Sequence, residues 1–483
     1  MSLLDCSHYV RPAGINHQSW TFTAPPDWQR KRLRSLCKVN PSATTKLRTM
    51  AGSTEVSFLP MELARAGSPE LAPRTAALSD VRNGFTPFID GDLLIAKITP
   101  CFENGKGGIA DNLLNGIGFG STEFHVLRPG PEMDVRFLYY ATISEPFREI
   151  GVRMMRGSAG QQRVPVEFLN DFVMVFPDIR TQRLIAEFLD RYMRLTGSLI
   201  RAKRRQIELL NEQKQVIINW AVTRGLNPNT PLKQSGIYWL DEIPAHWNLR
   251  KLKCLVDITS GQVDPRVEPY RRQVLVAPNH VESGTGRITY EETAADQGAD
   301  SGKYLVQEGQ IIYSKIRPNL RKAAVALRDC LCSADMYPLS PNELELRTEF
   351  LLTLLLSDPF TRYALDCSMR VAMPKINRDA LRQCWLWYPS LSEQDEILRA
   401  LSTEIAPLDT LVYAARRQID LFREYRTRLI ADVVTGKLDV RGVELPDLEG
   451  ADIADDLGDS DFGSDTDQDD LPDAEEVEAD DED

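Results

Sequence analysis

The sequence predicts the α/β class: two globular α/β domains alternating with two long α-helical coiled-coil spacers, a pseudo-twofold internal duplication, and a disordered acidic C-terminal tail. Three observations predict it. One part of the chain matches another at a constant offset of 212 residues, each copy ends in a long periodic segment nearly free of proline, and the last stretch carries acid without base.

A chain of 483 residues is long for one core and comfortable for two. Internal repeats are the first thing to look for, because they decide the architecture. Near the start stands Pro25-Pro26-Asp27-Trp28, followed by Arg30, Lys31 and Leu33; at mid-chain Pro244-Ala245-His246-Trp247 is followed by Arg250, Lys251 and Leu252. Gly91-Asp92-Leu93-Leu94-Ile95-Ala96-Lys97-Ile98 matches Gly309-Gln310-Ile311-Ile312-Tyr313-Ser314-Lys315-Ile316. Both read as a buried strand leaving a glycine turn. The register then becomes constant. The 212 offset pairs Arg163 with Lys375, Leu169 with Leu381, Pro177 with Pro389, Gln182 with Gln394, Ile185 with Ile397 and Thr223 with Thr435. It also aligns Arg204-Arg205-Gln206-Ile207 with the identical Arg416-Arg417-Gln418-Ile419.

The first part of each copy mixes short apolar runs, Gly and Pro turns and a helix-like stretch such as Val135 to Ile150. The second part, from about Gln182 to Thr223 and from Gln394 to Thr435, holds one proline, Pro407, and reads as helix. Ile200, Lys203, Ile207, Leu210, Lys214, Ile217 and Ala221 alternate three and four apart, as do Val412, Ala415, Ile419, Phe422, Arg426, Leu429 and Val433. That is the spacing of a coiled-coil seam. Lys214 and Arg426 share one seam position. Two readings stand for them: a polar core residue that fixes register, or a long stem reaching water at the seam's edge.

The net charge of −13 misleads, because 19 of the 70 acidic residues lie between Asp447 and Asp483, where no Lys or Arg occurs. The remainder holds 57 basic against 51 acidic residues, which suits a polyanionic partner without proving one. The tail is too poor in large apolar residues to offset its ordering entropy. The eight cysteines include no Cys-x-x-Cys, which argues against a zinc site and for a reducing cytoplasm. No apolar run is long enough to span a membrane.

Catalytic signatures are missing. Asn227-Pro228-Asn229-Thr230 lacks the second proline and the aromatic of an adenine methyltransferase motif. Gly116-Ile117-Gly118-Phe119-Gly120 leads into Ser121-Thr122-Glu123 and fits a turn better than a cofactor loop. No Gly-Lys-Ser/Thr phosphate loop occurs, and the five histidines form no ligand spacing. The chain is therefore expected to be no enzyme and to bind no cofactor or metal itself. Lys, Arg, Asn and Gln in loops beyond strand ends are the side chains that a scaffold can present to a polyanionic ligand. Residues so placed are Lys97, Asn104, Lys106, Arg156, Gln161, Gln162 and Arg163 in the first domain. In the second they are Ser314, Lys315, Arg317, Asn319, Arg321, Lys375, Asn377 and Arg378. Trp28 and Trp247 read as domain anchors.

This constellation resembles the specificity subunit of Type I restriction-modification systems. The two Trp motifs carry the resemblance, with Ser121-Thr122-Glu123-Phe124, Leu127-Arg128-Pro129, Ile311 to Pro318, Met373-Pro374-Lys375-Ile376-Asn377-Arg378, Pro389-Ser390-Leu391-Ser392-Glu393-Gln394 and Leu429 to Val440. The resemblance implies a target recognition domain at 1–178, a central helical region at 179–232, a second recognition domain at 233–390, a distal helical region at 391–441 and the tail at 442–483. It implies that each recognition domain reads one half of a bipartite site on double-stranded DNA, which makes the loop residues above the DNA-binding candidates. It implies partners too: two modification subunits that use S-adenosylmethionine to methylate adenine, and restriction subunits that translocate with ATP and Mg. Two departures stand out. Thr181 precedes Gln182 where the family usually shows Glu, as in Glu393-Gln394, and the acidic tail is unusual. Two alternatives remain at this stage: a self-contained DNA-modifying enzyme with a degenerate site, and a DNA-binding protein autoinhibited by its acidic tail.

Overall fold

The computed structural model describes residues 24–42, 47, 50–158, 160–368 and 374–443. The acidic tail and Met373 of the quoted pattern lie outside the described residues. Contacts divide the chain into two units. One holds the described residues up to Arg204 and from Arg416 onward; the other is Arg205–Ala415.

In the first unit the strands are β1 (Gln29–Arg32), β2 (Cys37–Val39), β3 (Glu55–Leu59), β4 (Arg74–Ala77), β5 (Thr86–Ile89), β6 (Leu93–Ala96), β7 (Gly107–Ile109), β8 (Ile117–Gly120), β9 (Phe124–Pro129) and β10 (Val173–Phe176). Between them run the helices α1 (Leu33–Leu36), α2 (Leu78–Val81), α3 (Val135–Ile143), α4 (Glu145–Arg153) and α5 (Val166–Asp171). They form two four-stranded sheets, ordered β2-β9-β6-β7 and β4-β3-β8-β5, and a two-stranded β1-β10 ribbon. The stretch from Val135 on is two helices rather than one. Ser144 is extended (φ −66°, ψ 145°), and Pro146 sits in the first turn of α4, where its missing N–H costs nothing. Gly116 to Gly120 is largely the buried strand β8, not a turn. A side chain at Gly118 would strike the Phe88 ring, so glycine is there for close approach of strand to core.

The long helix α6 (Ile179–Arg224) leads to the second unit, which adds β11 (Leu232–Ile237), β12 (Leu240–Pro244), β13 (Asn248–Lys251), β14 (Val256–Ile258), β15 (Gln262–Val263), β16 (Leu275–Val276), β17 (Lys303–Val306), β18 (Ile311–Ser314), β19 (Ala323–Val325), β20 (Cys330–Cys332), β21 (Met336–Pro341) and β22 (Trp385–Tyr388). Helices α7 (Thr348–Leu355), α8 (Asp358–Ser368) and α9 (Arg378–Gln383) follow the pattern of the first unit, and α10 (Leu391–Val434) closes the described fold. Here the four-stranded sheets are β14-β21-β18-β19 and β15-β17-β20-β16, with a β13-β22 ribbon in the place of β1-β10.

Each head has its own apolar core, and each core takes in turns from both long helices. In the first, Ile185, Phe188 and Leu189 join Leu429, Ile430 and Val433. In the second, Ala221 and Val222 join Ile397 and Leu401. The helical segments are therefore not domains apart, because their apolar faces are what the heads are built on. Every residue of the two three-four patterns is buried or half-buried. Arg426 does not reach for water: it is 7% exposed and donates from Nε to Thr196 Oγ1 at 2.6 Å and from Nη2 to the Met193 carbonyl at 3.0 Å. Lys214 likewise pairs with Asp409 of the facing helix at 2.6 Å. The helix α10 runs through Pro407 without ending.

The two Pro-x-x-Trp motifs are turns, closed by the Trp28 N–H on the Pro25 carbonyl (3.1 Å) and the Trp247 N–H on the Pro244 carbonyl (3.0 Å). Trp28 meets Phe137 edge-on at 6.4 Å, and Trp247 meets Phe350 likewise at 6.4 Å. Each indole also lies against the glycine that follows a long helix, Gly436 (φ +75°) or Gly225 (φ +73°). Both glycines hold the left-handed conformation that terminates a helix cheaply.

Candidate nucleic-acid interface

The candidate residues gather where one buried strand leaves each head. All four residues of β6 are buried, and so are all four of β18. The next residue is Lys97 in one head and Lys315 in the other. The Lys97 N–H donates to the Glu123 carbonyl (2.9 Å), and its own carbonyl accepts from the Val164 N–H (2.8 Å). The Lys315 N–H donates to the Asp335 carbonyl (2.9 Å), and its carbonyl accepts from the Ile376 N–H (2.9 Å). Bridges then set Ile98 beside Arg163 and Ile316 beside Lys375. Two sequence pairs that stand at different offsets, Lys97 with Lys315 and Arg163 with Lys375, are thus neighbours in space within each head.

In the first head the set converges. Arg156 and Arg163 bond to each other through their backbones (3.0 and 2.9 Å), and the Gln162 carbonyl accepts from Thr99 (2.9 Å). The Lys106 carbonyl accepts from Ala96 at the end of β6 (2.9 Å), and Asn104 lies in the turn that returns to it. Beneath that turn lies Arg148, which donates to the carbonyls of Phe102, Glu103 (3.0 Å) and Ile143 (3.1 Å). Burial pushes its guanidinium down to about 10. Arg163 is forked onto Glu123 through Nε (3.1 and 3.0 Å) and Nη2 (2.9 Å), and its Nη1 donates to the Gln161 carbonyl (3.1 Å). This hydrogen bonding holds the Glu123 carboxyl below its usual range. His125 is buried between Asn40 (3.2 Å) and the Val164 carbonyl (2.9 Å), and desolvation keeps its imidazole neutral-leaning by lowering its pKa.

In the second head the candidates divide. Ser314 is 3% exposed and donates to the Ile316 carbonyl (3.1 Å), which leaves it no reach to a surface ligand. Arg378 donates to the carbonyls of Ile258 (2.8 Å) and Thr259 (2.9 Å) and stacks over Tyr337. Asn377 caps α9 by accepting from the Ala380 N–H (2.8 Å). These three serve the fold. Arg317 and Arg321 flank the Pro318–Leu320 turn in left-handed conformations, with Asn319 exposed between them. Arg321 is tied to Asp358 at 2.6 Å, while Lys375 is exposed beside Lys315, whose ammonium lies over Tyr337.

Sequence reasoning missed Glu123, His125 and Arg148, which hold the first cluster, and the Asp92–Arg128 pair at 2.7 Å that braces β6 against β9. The Gly91-Asp92 and Gly309-Gln310 match held a signal: Asp92 accepts from Ile89 (2.8 Å) and Gln310 from Gln307 (2.7 Å), both backbone N–H groups, closing equivalent turns. The basic stretches after the two Trp residues form structural pairs, Lys31 with Glu132 and Arg250 with Glu345 (2.6 Å). Among the described residues no group of three His, Cys, Asp or Glu could hold a metal, and no helix is long and apolar enough to cross a membrane.

A family model for the Type I restriction modification DNA specificity domain matches this chain twice, at residues 25–209 and 246–418. The chain belongs to that family. The EcoDI specificity subunit of Escherichia coli is 32% identical over 297 residues, covering 58% of this chain and 66% of that protein. The EcoAI specificity subunit of Escherichia coli is 34% identical over 207 residues, covering 42% of this chain and 34% of that protein. The matches thus span from about a third to just under two thirds of these relatives. A chain solved in work on complex assembly and conformational transition of the type I R-M system shares the fold. Its TM-score is 0.60 at 17% identity, over 86% of this chain and all of that one.

Proposed function

We propose that this chain is the sequence-specific DNA-recognition subunit of a Type I restriction-modification complex. Its two heads are target recognition domains, and each reads one half of a bipartite, asymmetric duplex site. The observation that carries this reading is the shared clamp at the end of β6 and β18. Two heads of one family present basic and amide side chains from the same strand end, but not the same side chains. Common frame with differing contacts is what two half-sites of different sequence require. The readers are Lys97, Asn104, Lys106, Arg156, Gln161, Gln162 and Arg163 in the first head, and Lys315, Arg317, Asn319, Arg321 and Lys375 in the second.

The chain is an internal duplication, and its paired helices act as coiled-coil spacers and as the docking surface for two modification subunits and for restriction subunits. Catalysis belongs to those partners, which bring S-adenosylmethionine, ATP and Mg; this chain supplies the address, in the cytoplasm. The test is to express it with its modification partner and map methylated adenines. A single bipartite motif is expected, with none from the chain alone. Methylation without sequence preference, or methyl transfer by the chain alone, would sink the reading.

A further inference from the structure

We propose that Arg163 is a base-reading residue that makes the first head specific for a guanine, with Glu123 as its positioning residue. The inference rests on the DNA-recognition reading above and deepens it. A guanidinium offers five N–H groups in a fixed plane. Glu123 engages Nε and one N–H of Nη2, and the Gln161 carbonyl engages one N–H of Nη1. Among the described residues this leaves one N–H on each terminal nitrogen. One donor remaining on each of two neighbouring nitrogens suits the two adjacent acceptors, O6 and N7, that guanine alone shows in the major groove. The side chain of Arg163 is 44% exposed, within reach of a ligand.

Charge separates a base contact from a phosphate contact here. Glu123 neutralises Arg163, and a neutralised pair is a poor anchor for an anion. Reading a base edge needs planar geometry rather than net charge. The fork is also held in advance: the Arg163 backbone bonds to Arg156, and the next carbonyl, Val164, bonds to buried His125. Little side-chain freedom is then lost on binding. The matching residue of the second head, Lys375, is an ammonium on a flexible stem, so at this position the second head lacks the rigid planar pair of donors.

The test uses the assembled complex with its modification partner. R163K keeps the charge and removes the fork. It should relax discrimination at one G·C pair in one half of the methylated motif by about ten- to a hundredfold, leaving the other half intact. In R163M/E123Q, which removes both charges of the pair, the salt dependence of binding should stay that of the wild type, because no phosphate contact is lost. E123Q should loosen the same position to a smaller degree. A duplex carrying the target, and one with that single pair exchanged, check this with purified complex: wild type discriminates between them and R163K does not. An unchanged motif methylated more slowly throughout, or a shallower salt slope, overturns the proposal and makes Arg163 a phosphate contact. A wild-type complex that yields no bipartite motif overturns the underlying reading instead.

Discussion

Replacing Gln394 by alanine tests how the second head is seated on its helix. The side chain is fully buried in the first turn of α10. Its amide donates to the carbonyls of Glu345 (2.9 Å) and Pro389 (3.0 Å), and its carbonyl accepts from the Arg347 N–H (2.9 Å). Alanine leaves two carbonyls and one N–H without that partner. A buried polar group deprived of its partner costs about 1–3 kcal/mol, so roughly 3–5 kcal/mol is expected in total. For a unit of this size that is a fall of roughly 6–20 °C in Tm. Buried Trp239, Trp247 and Trp387 make tryptophan fluorescence during urea or thermal unfolding report mainly this head. Q394E should be worse than Q394A at neutral pH, since a carboxylate sets oxygen against two carbonyls, and should recover as acid restores an O–H donor. A loss below about 1 kcal/mol for Q394A would show that the three hydrogen bonds do not hold the junction.

Three further outcomes follow from the same kind of accounting. R426A should cost about 2–4 kcal/mol by urea denaturation, through lost contacts and the lost hydrogen bonds to Thr196 and the Met193 carbonyl, while R426M, which keeps the apolar stem, should recover about half. E393T gives the second head the residue that the first has at Thr181; it removes the acceptor of the Trp247 indole N–H (3.0 Å) and the partner of His246 (2.7 Å). It should cost about 1–2 kcal/mol and shift the tryptophan emission. Glu123 has its carboxyl below the ordinary value when folded, so its stabilisation is complete above that ordinary value and disappears as pH falls through the folded one. The Tm gap between wild type and E123Q should be flat from about pH 6 to 8 and close below about pH 4.

The helical half of the fold is legible in the sequence because its contacts repeat with a period. A three-four pattern of apolar residues needs no knowledge of the partner to be seen. The register at Gln182 and Gln394 shows why it stays constant. Gln182 makes the same three bonds as Gln394, to Glu132 (2.9 Å), Pro177 (2.9 Å) and Asp134 (2.9 Å). An inserted residue between the strand and the helix would break all three at once. The globular half tolerates insertions where loops lie between strands, as between β15 and β17, so its offset drifts. The β2-β9-β6-β7 sheet keeps its order as β14-β21-β18-β19, while the other sheet keeps three strands and carries its fourth on the opposite edge, β4 beside β3 but β15 beside β17. What sequence could not show was the tertiary use of individual polar residues. Ser314, Asn377 and Arg378 have the right chemistry and the right neighbourhood, yet the Ser314 hydroxyl, the Asn377 Oδ1 and two of the five Arg378 N–H groups are engaged by Ile316, Ala380, Ile258 and Thr259.

That distinction decides how the candidate interface is read. A group committed to a backbone partner is open to a ligand only by breaking a bond worth about 1 kcal/mol. Single donors and acceptors, rather than whole residues, are what such contacts spend. In Arg163 the commitment to Glu123 uses only part of a five-donor group and fixes the direction of the remainder. The same logic separates the heads. Glu123 and Asp335 each clamp a strand end with their backbone carbonyl, but across from them stand Arg163 and Lys375, a fork and a point charge. One backbone frame thus offers two different chemistries at one location, and under the proposed function a change confined to that residue should alter what one head reads and leave the other as it was.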